Sequence, residues 1–281
     1  MAGNCRSAAP TCICSRRCRC HSARVGPVAA SAMSFSRRIL LLSSLALPAR
    51  PAAAEPQSLR WVCSEMPPFV WRGAEGAQGY AYELSRRVMK RAGLEMELQF
   101  FPWARVLLLL NSGQAQAALV AARTPAREER FAWLFPVGYV RFAVFTRKGG
   151  PRPSSDVAAL QGRRVAVLRG SVSRELLEGV AVTSLAEGRD HGDLIALLQR
   201  DVVDTILAPE PMMRAQLERL QLPADSLQVT QLAHRLELYA IAHPRMSQAL
   251  QQRIIGAYQQ LVEDGSVAQL RRRHAAAFGD D

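Results

Sequence analysis

Residues 102–137, PWARVLLLLNSGQAQAALVAARTPAREERFAWLFPV, carry a helix signal, a strand signal and a charged turn in one run. Pro102 suits a first helical turn and Gly113 suits a helix end, so residues 102–114 read as a helix. AQAALVAA (115–122) reads as a short buried strand. Thr124 and Pro125 then form an N-cap and first-turn pair, which places Arg127 in a first turn. A cation there opposes the helix dipole unless an anion lies nearby. Arg130, Glu128 and Glu129 read as a solvated edge, and FAWLFPV as the apolar lead into another strand.

The same rhythm extends in both directions. LRWVCSEMPPFVW (59–71) opens as a strand and ends in a Pro-Pro turn. GYAYELSRRVMKRAG (79–93) is an amphipathic helix, with Tyr82, Leu84, Val88 and Met89 near one face and Gly93 at its end. LEMELQFF (94–101) alternates as a strand, and VRFAVFTRK (140–148) is a further one. After GGPRPSSD the pattern restarts: LQGRRVAVLRGS (160–171) is strand plus glycine turn, SRELLEG (173–179) a short helix and VAVTSL (180–185) a strand. A helix and strand follow within 191–209, a helix at 211–220, strands at 227–232 and 237–244, and two helices over 247–275 broken at Asp264-Gly265. Alternating strands and helices imply parallel strands with helices on their faces. The expected fold is α/β with two lobes, each a mostly parallel sheet flanked by helices, and two crossing strands as hinge. The expected boundaries are lobe 1 at 55–144 plus 239–281 and lobe 2 at 145–238. Such a layout leaves a cleft between the lobes, the usual place for a ligand.

The net charge of +12 would suggest a nucleic-acid or membrane partner were it evenly spread. Residues 1–54 hold eight arginines and no acid, which leaves 28 basic against 24 acidic residues in the remainder. The basic character is therefore mostly a property of the leader, and a nucleic-acid partner is not expected. Within that leader Arg37 and Arg38 precede an apolar run, Ile39–Leu47, and Ala52-Ala53-Ala54 precede Glu55. This is the pattern of a secretory signal (33–54) with cleavage near Ala54, and it makes Met33 the expected start, with 1–32 an upstream extension. The expected location is periplasmic. Five of the six cysteines also lie in the leader, so Cys12, Cys14, Cys18 and Cys20 are not read as a metal site, and the lone Cys63 makes no internal disulfide.

The features, in this order, resemble the bacterial extracellular solute-binding proteins of family 3, the two-lobed receptors that feed polar amino-acid ABC importers. The matching segments are PPF (67–69), residues 79–93, 102–119 and 123–137, LQGRRVAVLRGS, LIALLQRDVVDTILA (194–208), LYAIAHP (238–244) and LVEDG (261–265). The resemblance implies that Thr124 and Arg127 belong to a Thr-x-x-Arg whose guanidinium takes a ligand carboxylate. A planar guanidinium can grip a carboxylate through two parallel charge-assisted hydrogen bonds. It further implies that Trp103 lines the cleft, with Phe69 a similar aromatic candidate. In the second lobe it implies that the turn Arg169-Gly170-Ser171 offers backbone N–H, a hydroxyl and positive charge to the same ligand. The sequence departs from the pattern at Pro209, where many such receptors place an Asp for the ligand ammonium. Either Glu210 beside it takes that role, with Glu65 the other acid that could face the cleft, or the ligand is not an ordinary α-amino acid.

The function these readings imply is capture of a small carboxylate-bearing solute, without catalysis, cofactor or metal, by a monomer that docks on an ABC permease in the inner membrane. Two alternatives stay open. One is an enzyme of the cyclohexadienyl dehydratase type, with Glu65 or Glu210 as general acid. The other is a ligand-binding sensor component. The five histidines are scattered, and Gly-x-Ser-x-Gly, His-Glu-x-x-His, P-loop and dinucleotide patterns do not occur.

Overall fold

A computed structural model describes residues 57–150, 152 and 154–275. The leader, its signal sequence and its cysteines lie outside the described residues. The first half runs β1 (Ser58–Cys63), a small hairpin of β2 (Trp71–Gly73) and β3 (Gly76–Gln78), then α1 (Tyr80–Arg91), β4 (Glu95–Phe100), α2 (Trp103–Asn111) and β5 (Ala117–Ala122). A 3-10 turn at Pro125–Arg130 leads into the long strand β6 (Ala132–Arg147). The second half continues with β7 (Arg164–Leu168), α3 (Val172–Leu176), β8 (Ser184–Gly188), α4 (His191–Gln199), β9 (Thr205–Pro209) and α5 (Glu210–Arg219). It closes with β10 (Leu227–Ala242), α6 (Gln248–Glu263) and α7 (Ser266–Arg273).

One eight-stranded sheet joins both lobes, in the order β4-β1-β5-β10-β6-β9-β7-β8. β4, β1 and β5 are mutually parallel, as are β9, β7 and β8. β6 and β10 pair antiparallel along their lengths and stand between the two parallel sets. β10 carries β5 of the first lobe, whereas Phe142–Phe145 of β6 carry β9 of the second. The expected lobe boundaries at 144 and 238 fall inside these two crossing strands.

Because strand side chains alternate, the buried residues separate onto the two faces of this sheet. Trp61, Leu119 and Val165 join one cluster with Leu84 and Val88 of α1 and Ile254 of α6. Val62, Ala118 and Ala166 join the other with Val106 of α2 and Leu194 and Leu198 of α4. Parallel strands covered on both sides must be apolar throughout, and all six residues of β5 are buried.

Two expectations are corrected. Residues 227–232 and 237–244 are one strand, not two; the register shift between Gln231 and Arg235 absorbs the polar AHR interruption without breaking the strand. The strand expected at 180–185 lies at Ser184–Gly188, because its partner β7 begins at Arg164 and pairs Arg164 with Ser184. Val180 and Val182 instead pack against the core from the turn before it. The helix at 79–93 is present as α1, where the amphipathic face buries Tyr80, Leu84, Val88 and Met89 while Tyr82 is only half-buried.

Candidate functional site

In sheets of this kind ligands bind beyond the carboxyl ends of the parallel strands, where loops diverge. The ends of β1, β4 and β5 face those of β7, β8 and β9 across the gap between the lobes. A cavity of about 470 Å3 occupies that gap, with Ser64, Glu65 and Trp103 on the first-lobe side and Leu168, His191 and Met212 on the second. A smaller space of about 50 Å3 continues inward beside Arg127, Ser171 and Pro209. Trp103, Leu168, His191 and Met212 line both.

The Arg127 side chain is 3 % exposed and reaches across the lobe boundary. Its Nε donates to Glu175 Oε1 at 2.7 Å and its Nη2 to the Gly170 carbonyl at 3.2 Å. Thr124 Oγ1 donates to the other carboxylate oxygen, Glu175 Oε2, at 2.9 Å. Trp103 Nε1 donates to the same Gly170 carbonyl at 2.9 Å. The Thr124 hydroxyl therefore serves Glu175 rather than capping the turn that follows, which is 3-10 and has no side-chain cap. Burial pushes the Arg127 pKa below its usual value, and the Glu175 carboxylate works against that shift. Gly170 adopts φ +70°, and an added Cβ would stand 3.2 Å from Leu107 Cδ1, so glycine permits this close approach of the two lobes.

Around the larger cavity, Arg219 Nη1 donates to Glu65 Oε2 at 2.7 Å, a second link between lobes, and Arg72 Nε lies 3.7 Å from Glu65 Oε1. Both arginines are well exposed, so these pairs are solvent-screened. Ser64 Oγ, Ser171 Oγ and His191 Nε2 are buried and have no hydrogen-bond partner among the described residues. All three belong to residues that line the cavity or its inward extension. A buried polar atom left unpaired costs about 1–3 kcal/mol, which a ligand group bonded to it would offset.

The structure thus brings Arg127, Thr124, Trp103, Gly170, Ser171 and Glu65 to one cleft. It places three other candidates elsewhere. Phe69 is fully buried in the first-lobe core among residues packed on α1 and β1, because the segment after the prolines turns its ring inward. Arg169 pairs with Glu187 at 3.5 Å and lines neither the cavity nor the inward space. Glu210, at the start of α5, is held by Arg214 Nε one helical turn on at 2.7 Å and by the Gln231 amide. Its carboxylate is already satisfied, and it lines neither the cavity nor the inward space.

Sequence reasoning missed Glu175 and His191. Glu175 sits 48 positions from Arg127 in what reads as a short helix, so no local spacing marks it. His191 opens α4 behind the N-cap Asp190 and reads as a first-turn residue.

A family model described as bacterial extracellular solute-binding proteins, family 3, matches residues 60–277. Among curated proteins, the membrane-bound lytic murein transglycosylase F of Ectopseudomonas mendocina (strain ymp) is 26 % identical over 159 residues, or 53 % of the chain. The chain spans about a third of that relative's length, 32 %. Among solved structures, a histidine kinase sensor domain with similarity to periplasmic binding proteins superposes with a TM-score of 0.70 at 19 % identity, covering 80 % of this chain and 98 % of that one. An ancestral arginine-binding protein bound to arginine gives 0.66 at 19 % identity, covering 78 % and 98 %. At these identities the superpositions establish a two-lobed fold and leave the ligand open.

Proposed function

Because the chain belongs to the bacterial extracellular solute-binding proteins, family 3, we propose that it captures a small carboxylate-bearing solute in the periplasm and presents it to an ABC permease. The observation that carries this reading is the cavity of about 470 Å3 with buried polar atoms on both walls that have no hydrogen-bond partner among the described residues, Ser64 Oγ from the first lobe and His191 Nε2 from the second. A solute that bonds to both walls binds the closed form more tightly than the open one, and so shifts the population towards closure. Trp103 supplies an aromatic wall, and Arg127 supplies the cleft's carboxylate-binding group. The solute is not an ordinary α-amino acid in this reading. Its ammonium would meet Pro209 where an acid is wanted, and Glu210 is engaged by Arg214 and Gln231. The protein acts as a monomer with the lobes divided inside β6 and β10.

Calorimetric titration with a panel of amino acids, organic acids and amines tests this, alongside mass spectrometry of any small molecule that co-purifies. A carboxylic acid without an α-ammonium should give saturable heat, and Arg127→Ala should weaken it at least tenfold, the loss of one charge-assisted contact being worth about 1.5–3 kcal/mol. Silence across the whole panel, or an unchanged affinity in the variant, would refute it.

A further inference from the structure

Arg127 is the group that the cleft offers to a carboxylate, and a carboxylate of the protein already sits on it. Both oxygens of Glu175 are engaged from the first lobe, one by Arg127 Nε at 2.7 Å and the other by Thr124 Oγ1 at 2.9 Å. One turn earlier on the same second-lobe segment, the Gly170 carbonyl accepts from Arg127 Nη2 and Trp103 Nε1. These four hydrogen bonds all cross from the first lobe to residues 170–175 of the second. The space left beside Arg127 is about 50 Å3, roughly a tenth of the neighbouring cavity of about 470 Å3, so the slot next to the guanidinium is narrow while the Glu175 carboxylate sits in it.

We propose that Glu175 is a tethered competitor for the anion slot of the cleft: its carboxylate takes the place of a solute carboxylate on Arg127 and Thr124, latches the lobes together without solute, and must be exchanged for the solute to bind there. This rests on the reading of the cleft as the solute site and adds how that site is regulated. A tethered group acts at an effective concentration in the millimolar range or above, which a free solute has to outcompete. Where the competent state is only fractionally populated, apparent affinity falls by that fraction. The latch therefore sets a threshold: solutes that reach the larger cavity and also replace the Glu175 carboxylate gain from both, whereas simple monocarboxylates do not displace it. Glu175 stands at the specificity step, ahead of Arg127.

The test needs no identified solute, because acetate is the carboxylate that Glu175→Ala removes. Small-angle scattering and Trp103 emission report lobe opening, with Trp103→Phe assigning the emission change. The wild-type protein should stay closed with or without sodium acetate. Glu175→Ala should open, with a larger radius of gyration and red-shifted Trp103 emission. Acetate should close it again, while sodium chloride of equal ionic strength should not. Glu175→Gln keeps the side-chain length without the charge and should lie between the two; if the alanine variant does not fold, this comparison carries the test in its place. A Glu175 variant that stays shut, or that sodium chloride closes as well as acetate does, would overturn the latch. A working latch in a protein that binds nothing in the solute panel would sink the solute-capture reading alone. Solute binding with an unlatched wild-type protein would sink this proposal alone.

Discussion

His191 joins two roles that depend on one property, its burial at the start of α4. Burial pulls its imidazole down from the ordinary value near 6.5 to about 4, and the neighbouring Asp190 carboxylate only partly opposes this. The neutral ring keeps Nε2 available to a ligand as donor or acceptor, depending on the tautomer. The same shift makes a stability statement. An unfolded chain takes up the proton near pH 6.5, so between about pH 6.5 and 4 the unfolded state binds more protons. The contribution is fully present above pH 6.5 and is lost as pH falls through 4, on the order of 3 kcal/mol at its limit. Asp264, held down to about 2 by the Ser266 and Arg91 hydrogen bonds, adds its own loss only below the usual carboxylate range. Urea unfolding at neutral and mildly acidic pH should therefore show a drop that His191→Asn largely removes; an equal drop in both proteins would contradict the assignment. Cys63 shows what the sequence does reveal at this scale. Its solitary position outside the leader pointed to no internal disulfide, and it is a free, buried thiol, pushed up by desolvation. Arg127 was marked as a cleft candidate by the family resemblance that its Thr-x-x-Arg carries, and it lies in the cleft. Its partner was not marked, because a contact between residues 127 and 175 leaves no local periodicity.

Most elements formed where their patterns lay, since helix and strand periodicities depend on neighbours within a turn or two. α1, β4, α2 and β5 fall within two or three residues of their expected limits, with Gly93 and Gly113 just past the helix ends. The exceptions depend on pairing. β10 reads as two strands because its AHR interruption is polar, yet β6 pairs on either side of it and keeps it extended. β8 begins four residues later than the strand expected at 180–185, because its register pairs Ser184 with Arg164 at the start of β7, the one strand beside this edge among the described residues. Gly79, the N-cap of α1, is the element-scale position most open to test. Its φ is +109°, and an added Cβ would stand 2.4 Å from the Phe69 carbonyl oxygen. Gly79→Ala must move backbone, not merely a flexible side chain, and should cost about 2 kcal/mol or more. That corresponds to roughly 4–8 °C of melting temperature in a chain of this size. A melting temperature unchanged from wild type would show that the hairpin–helix junction yields freely.

At the scale of the whole molecule, β6 and β10 belong to both lobes, and each apolar cluster runs along one face of the shared sheet. Neither lobe can melt without stripping the other of a sheet neighbour. Scanning calorimetry should therefore find one unfolding transition, with calorimetric and van't Hoff enthalpies in agreement; two resolved transitions would mean that the lobes fold separately. The register shift near 231–235 lies between the part of β10 that pairs with β5 and the part opposite the β6 residues that pair with β9, so the ladder is irregular where the chain passes between the lobes. The sequence by itself determined the alternation of strands and helices and the two-lobed fold, and its Thr-x-x-Arg marked Arg127 as a candidate, since each is written in short-range spacing or in a motif. Only the tertiary structure decided what those groups meet. It turned Phe69 into the core, tied Glu210 to Arg214 and Gln231, left His191 Nε2 and Ser64 Oγ without a hydrogen-bond partner among the described residues across a cavity, and set Glu175 on Arg127. The physical reason is that lobe–lobe contacts join residues far apart in the chain, and no local pattern encodes which carboxylate closes on which guanidinium.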